Sequence, residues 1–219
     1  MAAGKRYKWQ GSTIEFGTGF APASPAVTIT AITKADPMVI TATNTFDEGD
    51  VVRATGIVGM TELNERIGIV TNPTGTTFEI DGIDSTSYAA YVSGGTVQVL
   101  AFADMCELTA YNRQGGTTAE IDATTICSEA VENEPGLQDF GTATMDYNFA
   151  PQTTVQESIQ AHADSGEHTA IRVTLPTDGG IRTIEGWVQQ TSEQSGNGQI
   201  WKGNMAFRVT GRPFDQEAA

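Results

Sequence analysis

The chain is poor in the residues that build catalytic and metal centres. Two cysteines, Cys106 and Cys127, and two histidines, His162 and His168, are all that 219 residues contain. Neither pair has the spacing of a zinc site, which needs several nitrogen or sulfur ligands converging on one point. The two cysteines fall on separate predicted strands. They could meet across a hairpin, but a reducing compartment argues against a structural disulfide, and Cys106 reads as a small buried hydrophobe. No apolar run reaches the roughly eighteen residues of a membrane-spanning helix, so no membrane insertion is expected. The opening M-A-A-G-K-R-Y-K-W-Q carries bases without an apolar stretch behind them, unlike a secretory signal, and this predicts a protein made and kept in a cytoplasm.

Positive charge is also scarce. Twelve Lys and Arg stand against 27 Asp and Glu, for a net charge of −15. Residues 26–99 hold three of the bases and nine of the acids, so the acidity is spread along the chain and not gathered in a tail. A protein that grips nucleic acid needs a basic patch to neutralise phosphates, and none is visible. Acidity of this kind keeps a protein soluble.

The remaining candidate motifs are incomplete. No serine near either histidine has the context of a nucleophile elbow, and His162 reads as a helix-edge residue against a sheet. Glu132, Glu134 and Asp139 lack the alternating oxygen ligands and the glycine of a calcium loop. Gly17-Thr18-Gly19 lacks the third glycine and following helix of a dinucleotide site. Trp9, Trp187 and Trp201 read as core or interface anchors. No catalytic, cofactor-binding or metal-binding residue is expected, and the chain reads as a non-enzyme.

What the chain does have is alternation. In T-A-T-M-D-Y-N-F, Ala143, Met145, Tyr147 and Phe149 share one face, while Thr142, Thr144, Asp146 and Asn148 share the other, as in a strand with one buried and one wet side. M-C-E-L-T-A-Y at 105–111 alternates too. Between them lie an N-R-Q-G-G loop (Asn112, Arg113, Gln114, Gly115, Gly116), a second strand-like run ending at Cys127, and a long acidic loop over 128–140. A first strand is predicted over 12–16, ending at a glycine turn, and A-P-A-S-P-A at 21–26 reads as a linker. Residues 26–99 then supply five or six short strands between D-P, E-G-D, N-P-T-G and S-G-G turns, the signature of a small closed β-barrel. Gly49-Asp50 places a tight turn before buried Val51-Val52, and Phe78 and Ile80 alternate with Thr77 and Glu79.

One helix is predicted, over 151–164. Thr154 and Glu157 have capping-box spacing, Val155, Ile159 and His162 lie on one side, and Ser165-Gly166 stops it. Three strands follow: 169–175 burying Ile171, Val173 and Leu175, 181–190 including Trp187, and 200–210 burying Met205, Phe207 and Val209. D-G-G and S-G-N-G supply the hairpin turns. The final D-Q-E-A-A is expected to fray.

The ordered series C-E-L-T, E-I-D-A-T-T-I-C and P-G-L-Q-D-F-G resembles the core of the lambda-type (siphophage) major tail tube protein family, over roughly 100–214 plus a short N-terminal piece. Residues 26–99, with D-P-M-V-I-T-A-T, G-D-V-V, G-M-T-E-L-N and T-F-E-I-D-G-I-D-S-T-S-Y, resemble a module of phage structural proteins that has been compared with the first catalytic cysteine half-domain of ubiquitin-activating enzymes. The segment holds no cysteine, so this second resemblance implies a barrel without thioester chemistry. Together they imply a mainly β protein: a tube β-sandwich with one flanking helix (1–25 and 100–219) and an inserted decoration barrel (26–99).

The tail tube resemblance also implies a mechanism. Six copies would pair strands into homohexameric rings that stack into the conduit for DNA ejection, meeting a tape measure protein within and terminator and tip proteins at the ends. Such subunits assemble in the host bacterial cytoplasm and end in the virion tail. The bore would be lined by Glu107, Thr109, Thr142, Thr144 and Asp146, and DNA would pass without specific binding; solvent-facing strands would look the same in sequence. The 112–116 loop and the acidic loop bearing Glu132, Glu134 and Asp139 would join stacked rings. On this reading, deleting 113–116 leaves folded subunits that do not polymerise, and excising 26–99 leaves a ring-forming core. Other ring-forming proteins of the fold, such as a terminator or a secretion-system tube, stay open, as does a carbohydrate-binding β-protein.

Overall fold

The computed structural model describes residues 6–217. In chain order it has β1 (Thr13–Phe20), β2 (Val27–Thr28), β3 (Ala31–Ile32), β4 (Met38–Thr41), β5 (Val51–Val58), β6 (Ile67–Thr71), β7 (Thr77–Asp81) and β8 (Ser93–Asp104). There follow β9 (Leu108–Gln114), β10 (Thr117–Asp122), β11 (Asn133–Asp139) and β12 (Thr142–Asn148), then α1 (Thr154–Ser165), β13 (Thr169–Thr174), β14 (Ile181–Gln194), β15 (Lys202–Val209) and β16 (Phe214–Gln216). With 49% of residues in strands and 7% helical, the protein is mainly β.

Residues 27–99 form the barrel. Its ladder runs β4-β7-β6-β5-β8, all antiparallel. The segment bearing β2 and β3 pairs with β8 at one end and with β4 at the other, so among the described residues the ladder closes on itself through two short pairings. Met38, Ile40, Val52, Phe78 and Ile80 point inward, and Phe46 meets Phe78 edge-on at 5.1 Å. Each fully buried side chain of this size stabilises by about 1.5–3 kcal/mol. The glycine turn ahead of Val51 is present, with Gly49 at φ +91° where a β-carbon would be strained.

The barrel is joined to the rest by more than its chain ends. β8 is one uninterrupted strand: its residues 93–99 pair with β5 and β2, and its residues 100–104 pair with β1. Val51, Ile67 and Ile69 point out of the barrel and pack with Leu100, Ala170 and Phe214. That is why β5 and β6 read as near-continuous apolar runs, since both of their faces are covered.

The second unit is a curled antiparallel sheet in the order β8-β1-β13-β14-β15-β12-β9. Its strands form one hydrogen-bonded path and share a core of Phe16, Ile171, Ile184, Met205, Phe207 and Met145, on which α1 lies through Val155 and Ile159. The alternations at 143–149, 171–173 and 205–209 are present as read from the sequence. The helix begins at Thr154, three residues later than expected, and its cap is Thr153, one residue before the expected one. Thr153 Oγ1 accepts from Gln156 N at 3.4 Å, and Gln156 takes the third position, its side chain bonding Ala150 N and Asn148 O. Gly166 closes the helix in the left-handed conformation at φ 70°. His162 is buried, its ring edge-on to Phe16 at 5.5 Å and its Nδ1 2.8 Å from Ser158 O.

Two expectations fail here and a third is narrowed. Cys106 is exposed in the turn between β8 and β9, and Cys127 is exposed in a turn after β10; neither lies on a strand. Trp9 and Trp201, expected as core or interface anchors, are 47% and 55% exposed, which removes the core alternative and leaves the interface one. Asp215 and Gln216 do not fray: β16 pairs with β14, and Arg182 grips Asp215 through two hydrogen bonds. The last two residues of the expected frayed tail lie outside the described residues.

Candidate assembly surfaces

β12 lies between β9 and β15, with Thr142 opposite Gln114 and Arg208, Thr144 opposite Asn112 and Ala206, and Asp146 opposite Ala110 and Asn204. Cross-strand partners share a face, so these residues make one polar wall. Four hydrogen bonds knit it. Asn204 Nδ2 donates to Asp146 Oδ1 at 2.6 Å, Thr109 Oγ1 to Asp146 O at 3.0 Å, Thr144 Oγ1 to Asn112 O at 3.4 Å, and Asn148 Nδ2 to Glu107 Oε2 at 3.1 Å. Glu107, Thr109, Thr142, Thr144 and Asp146 therefore do come together. Asn112, Gln114, Asn204 and Arg208 join them and were missed, although the two-residue spacing of Asn112 and Gln114 was a usable signal.

The N-R-Q-G-G stretch is not a loop. Asn112 to Gln114 are strand residues of β9, and Arg113 turns to the opposite face, across from Ala143 and beside Tyr111. Deleting 113–116 would thus remove paired strand along with the turn. The acidic loop is largely strand as well. β10 and β11 pair from Thr117↔Asp139 to Asp122↔Asn133, forming a separate two-stranded arm that continues the β9–β12 hairpin. Gly115-Gly116 and Phe140-Gly141 make the knuckle between them. The backbones approach so closely there that a Cβ on Gly116 would lie 2.1 Å from Asp139 O, and one on Gly141 2.3 Å from Gln114 O. Asp139 fixes the knuckle, accepting from Gly141 N at 2.8 Å and pairing with Arg208 Nη2 at 2.8 Å. The Gly141 N–H, then Arg208, hold its carboxyl below the usual carboxylate range.

The arm has no core of its own. Every residue of β10 is exposed, and Ile121, Ile126, Val131 and Leu137 are four of the ten exposed large hydrophobics among the described residues. It carries Glu120, Asp122, Glu129, Glu132, Glu134 and Asp139 and no base. A lone two-stranded hairpin is marginal in water, and exposed apolar side chains gathered on one projection mark a contact surface.

A polar cluster is buried where barrel meets sheet. The Glu185 carboxylate has no exposed surface; its Oε1 lies 3.2 Å from Arg66 Nε and 3.7 Å from His168 Nδ1, and it accepts from Ile67 N at 3.3 Å. Arg53 donates to His168 O at 3.0 Å and stacks over Phe20 at 4.5 Å. Two of the barrel's three bases are thus consumed at this junction, which leaves its outer surface strongly acidic. Among the described residues no group of three or more His, Cys, Asp or Glu is arranged to hold a metal, and no helix is long and apolar enough to cross a membrane.

Compared with curated proteins, the chain matches none. Among solved structures, one similar chain comes from a structure described as the tail of an empty GTA particle computed with helical refinement in C6 symmetry. It aligns at a TM-score of 0.43 and 15% identity over 52% of this chain and 86% of that one. A family model described as phage tail tube protein, TTP, matches residues 58–213, from the end of β5 through β15. That span takes in the second half of the barrel, the polar wall, the arm and the helix, and on it the chain belongs to the phage tail tube protein family, whose members are structural proteins of the virion tail.

Proposed function

We propose that six copies of this chain form a ring of the lambda-type tail tube and that rings stack into the conduit through which DNA leaves the virion. The carrying observation is that the polar wall on β9, β12 and β15 lies next to an open strand edge. Among the described residues the sheet path ends at β9, and at its other end β8 has no strand partner beyond Val99 on the side away from β1. Lateral pairing of such edges in a closed ring removes the template they offer for aggregation. The wall then faces the bore, where Asp146 and Glu107 repel phosphates and DNA slides without specific binding. The arm reaches to the adjacent ring. A tape measure protein fills the bore before ejection, and terminator and tip proteins cap the stack. Assembly takes place in the host cytoplasm, the chain performs no catalysis, and the acidic barrel decorates the outside.

The test is negative-stain electron microscopy of purified protein at rising concentration, with and without an initiating tip complex. Hollow tubes of uniform width are expected. Replacing 117–139 by a two-glycine turn, which spares β9 and β12, is expected to leave a folded subunit that makes no tubes. A strict monomer under every condition would remove the reading.

A further inference from the structure

The corner of the arm is built in a way that its own fold does not use. Ser128 N donates to Thr125 O at 3.0 Å, so Ile126 and Cys127 occupy the two central positions of a turn. Thr125 N donates to Ser128 Oγ at 3.0 Å and Cys127 N to Thr125 Oγ1 at 3.3 Å, which stiffens it. Turn corners normally carry polar residues or glycine. This one presents Ile126 at 104% exposure on a pre-shaped tip.

A receptor of matching character lies at the other end of the same strand pair. The arm leaves β9 and β12 at Gln114 and Thr142, whereas Leu108 pairs with Tyr147 at the far end. Seven residues at ~3.3 Å each separate the two ends by about 20 Å. At the far end, Ala103, Met105, Leu108, Tyr147 and Val155 line an open groove of about 290 Å³, with Cys106 on its rim. Trp9 and Cys106 border an adjoining hollow, beside exposed Arg6 and Lys8. Lys8 directly precedes Trp9 in the chain and Arg6 lies two residues before it, a basic segment opposite in sign to an arm that holds six acids, while the groove edge itself carries Asp104 and Glu107.

Tip and groove at opposite ends of one strand pair cannot meet within a subunit, but they meet head to tail between subunits, and a heterologous contact of that kind propagates without closing. We infer that the Ile126–Cys127 corner of one copy seats in the Met105–Leu108 groove of a second copy in the next ring. This rests on the tube reading and names the partner surface of its arm. The contact brings Cys127 of one copy beside Cys106 of the next, so the two free thiols are its reporters.

The experiment is brief copper–phenanthroline oxidation of the assembled protein, read on non-reducing gels, with electron microscopy of the same samples. Wild-type tubes are expected to give a covalent ladder beyond the dimer. Cys106→Ser and Cys127→Ser are each expected to lose the ladder, and a copolymer of the two variants to give dimers only. Ile126→Asp is expected to leave the melting temperature unchanged and to abolish tubes. Tubes that stay uncrosslinked, or that crosslink equally well in Cys106→Ser, overturn the docking and leave the tube reading intact. Absence of wild-type tubes, seen on the same grids, overturns the tube reading and the docking with it.

Discussion

Glu185 and Arg66 form an ion pair at 3.2 Å between two units of the fold, and the carboxylate is wholly buried while the guanidinium is one-third exposed. Removing one partner leaves a charge with no compensation in a water-poor site. Arg66→Ala is therefore expected to destabilise the subunit by about 2–4 kcal/mol, somewhat less than a fully buried pair because water reaches Arg66. The paired change Arg66→Met with Glu185→Leu should recover most of that loss. Urea unfolding of the two variants beside the wild type measures both.

Excision of the barrel has a related outcome. Joining residue 25 to residue 100 uncovers Leu100, Ala170 and Phe214 and cuts β8 in two. The truncated chain is expected to aggregate or unfold at the temperature where the full chain assembles, contrary to what the sequence alone suggests. Light scattering decides between these expectations, and a soluble, ring-forming core would show that the junction is dispensable.

Stability and assembly should separate cleanly by residue. Phe207 is fully buried in the sheet core, so Phe207→Ala is expected to cost about 3–5 kcal/mol. Leu137 on the arm is 92% exposed, so Leu137→Ser should shift stability by no more than about 0.5 kcal/mol. The second variant is nevertheless expected to raise the concentration at which tubes appear. Thermal melts and sedimentation of the same samples test the contrast.

Arg182 holds Asp215 with Nε–Oδ1 at 2.6 Å and Nη2–Oδ2 at 2.8 Å, pinning β16 to β14. These bonds keep the Asp215 carboxyl below the usual range. Its folded pKa lies below its unfolded one, so the stabilisation is fully present above the ordinary carboxylate value and fades as pH falls through the depressed one. Carboxyl-detected NMR should find Asp215 titrating below ~3.9, with Arg182→Ala returning it toward that value.

Asp146 tests the wall. Asp146→Lys should permit tube formation, losing about 1 kcal/mol with the Asn204 hydrogen bond. Particles carrying it are expected to release DNA more slowly, because a bore cation attracts phosphates. Ejection at the normal rate would take Asp146 out of the bore.

The legible parts of this chain were those with a strong local period. Ala143, Met145 and Tyr147, and likewise Met205, Phe207 and Val209, alternate without interruption, and the structure buries each of them. The first half of the arm reads as strand, though carried too far, to Cys127; its second half was not legible as strand, because Pro135 and Gly136 break the pattern and neither face is buried. Cys106 was misplaced because the alternation starting at Met105 is broken by a tight turn, with Leu108 N donating to Met105 O at 3.0 Å. Glu185 gave no local hint of burial, since the groups that compensate it lie at Arg66 and Ile67, over a hundred residues upstream. Long-range ion pairs and both-sided exposure leave little trace in a single sequence.

The position of β1 has a consequence in time. Among the described strands it is made before the others, yet it sits between β8 and β13, with Phe16 opposite Ile171 and Ala103. At ~5–20 residues per second of synthesis, its second partner emerges on the order of ten seconds or more after it does. Until then Phe16 and Ile14 have no finished core, and α1 has no floor to lie on. A chain interrupted before residue 169 cannot present a completed sheet, so unfinished products are barred from the growing polymer by the order in which the strands appear.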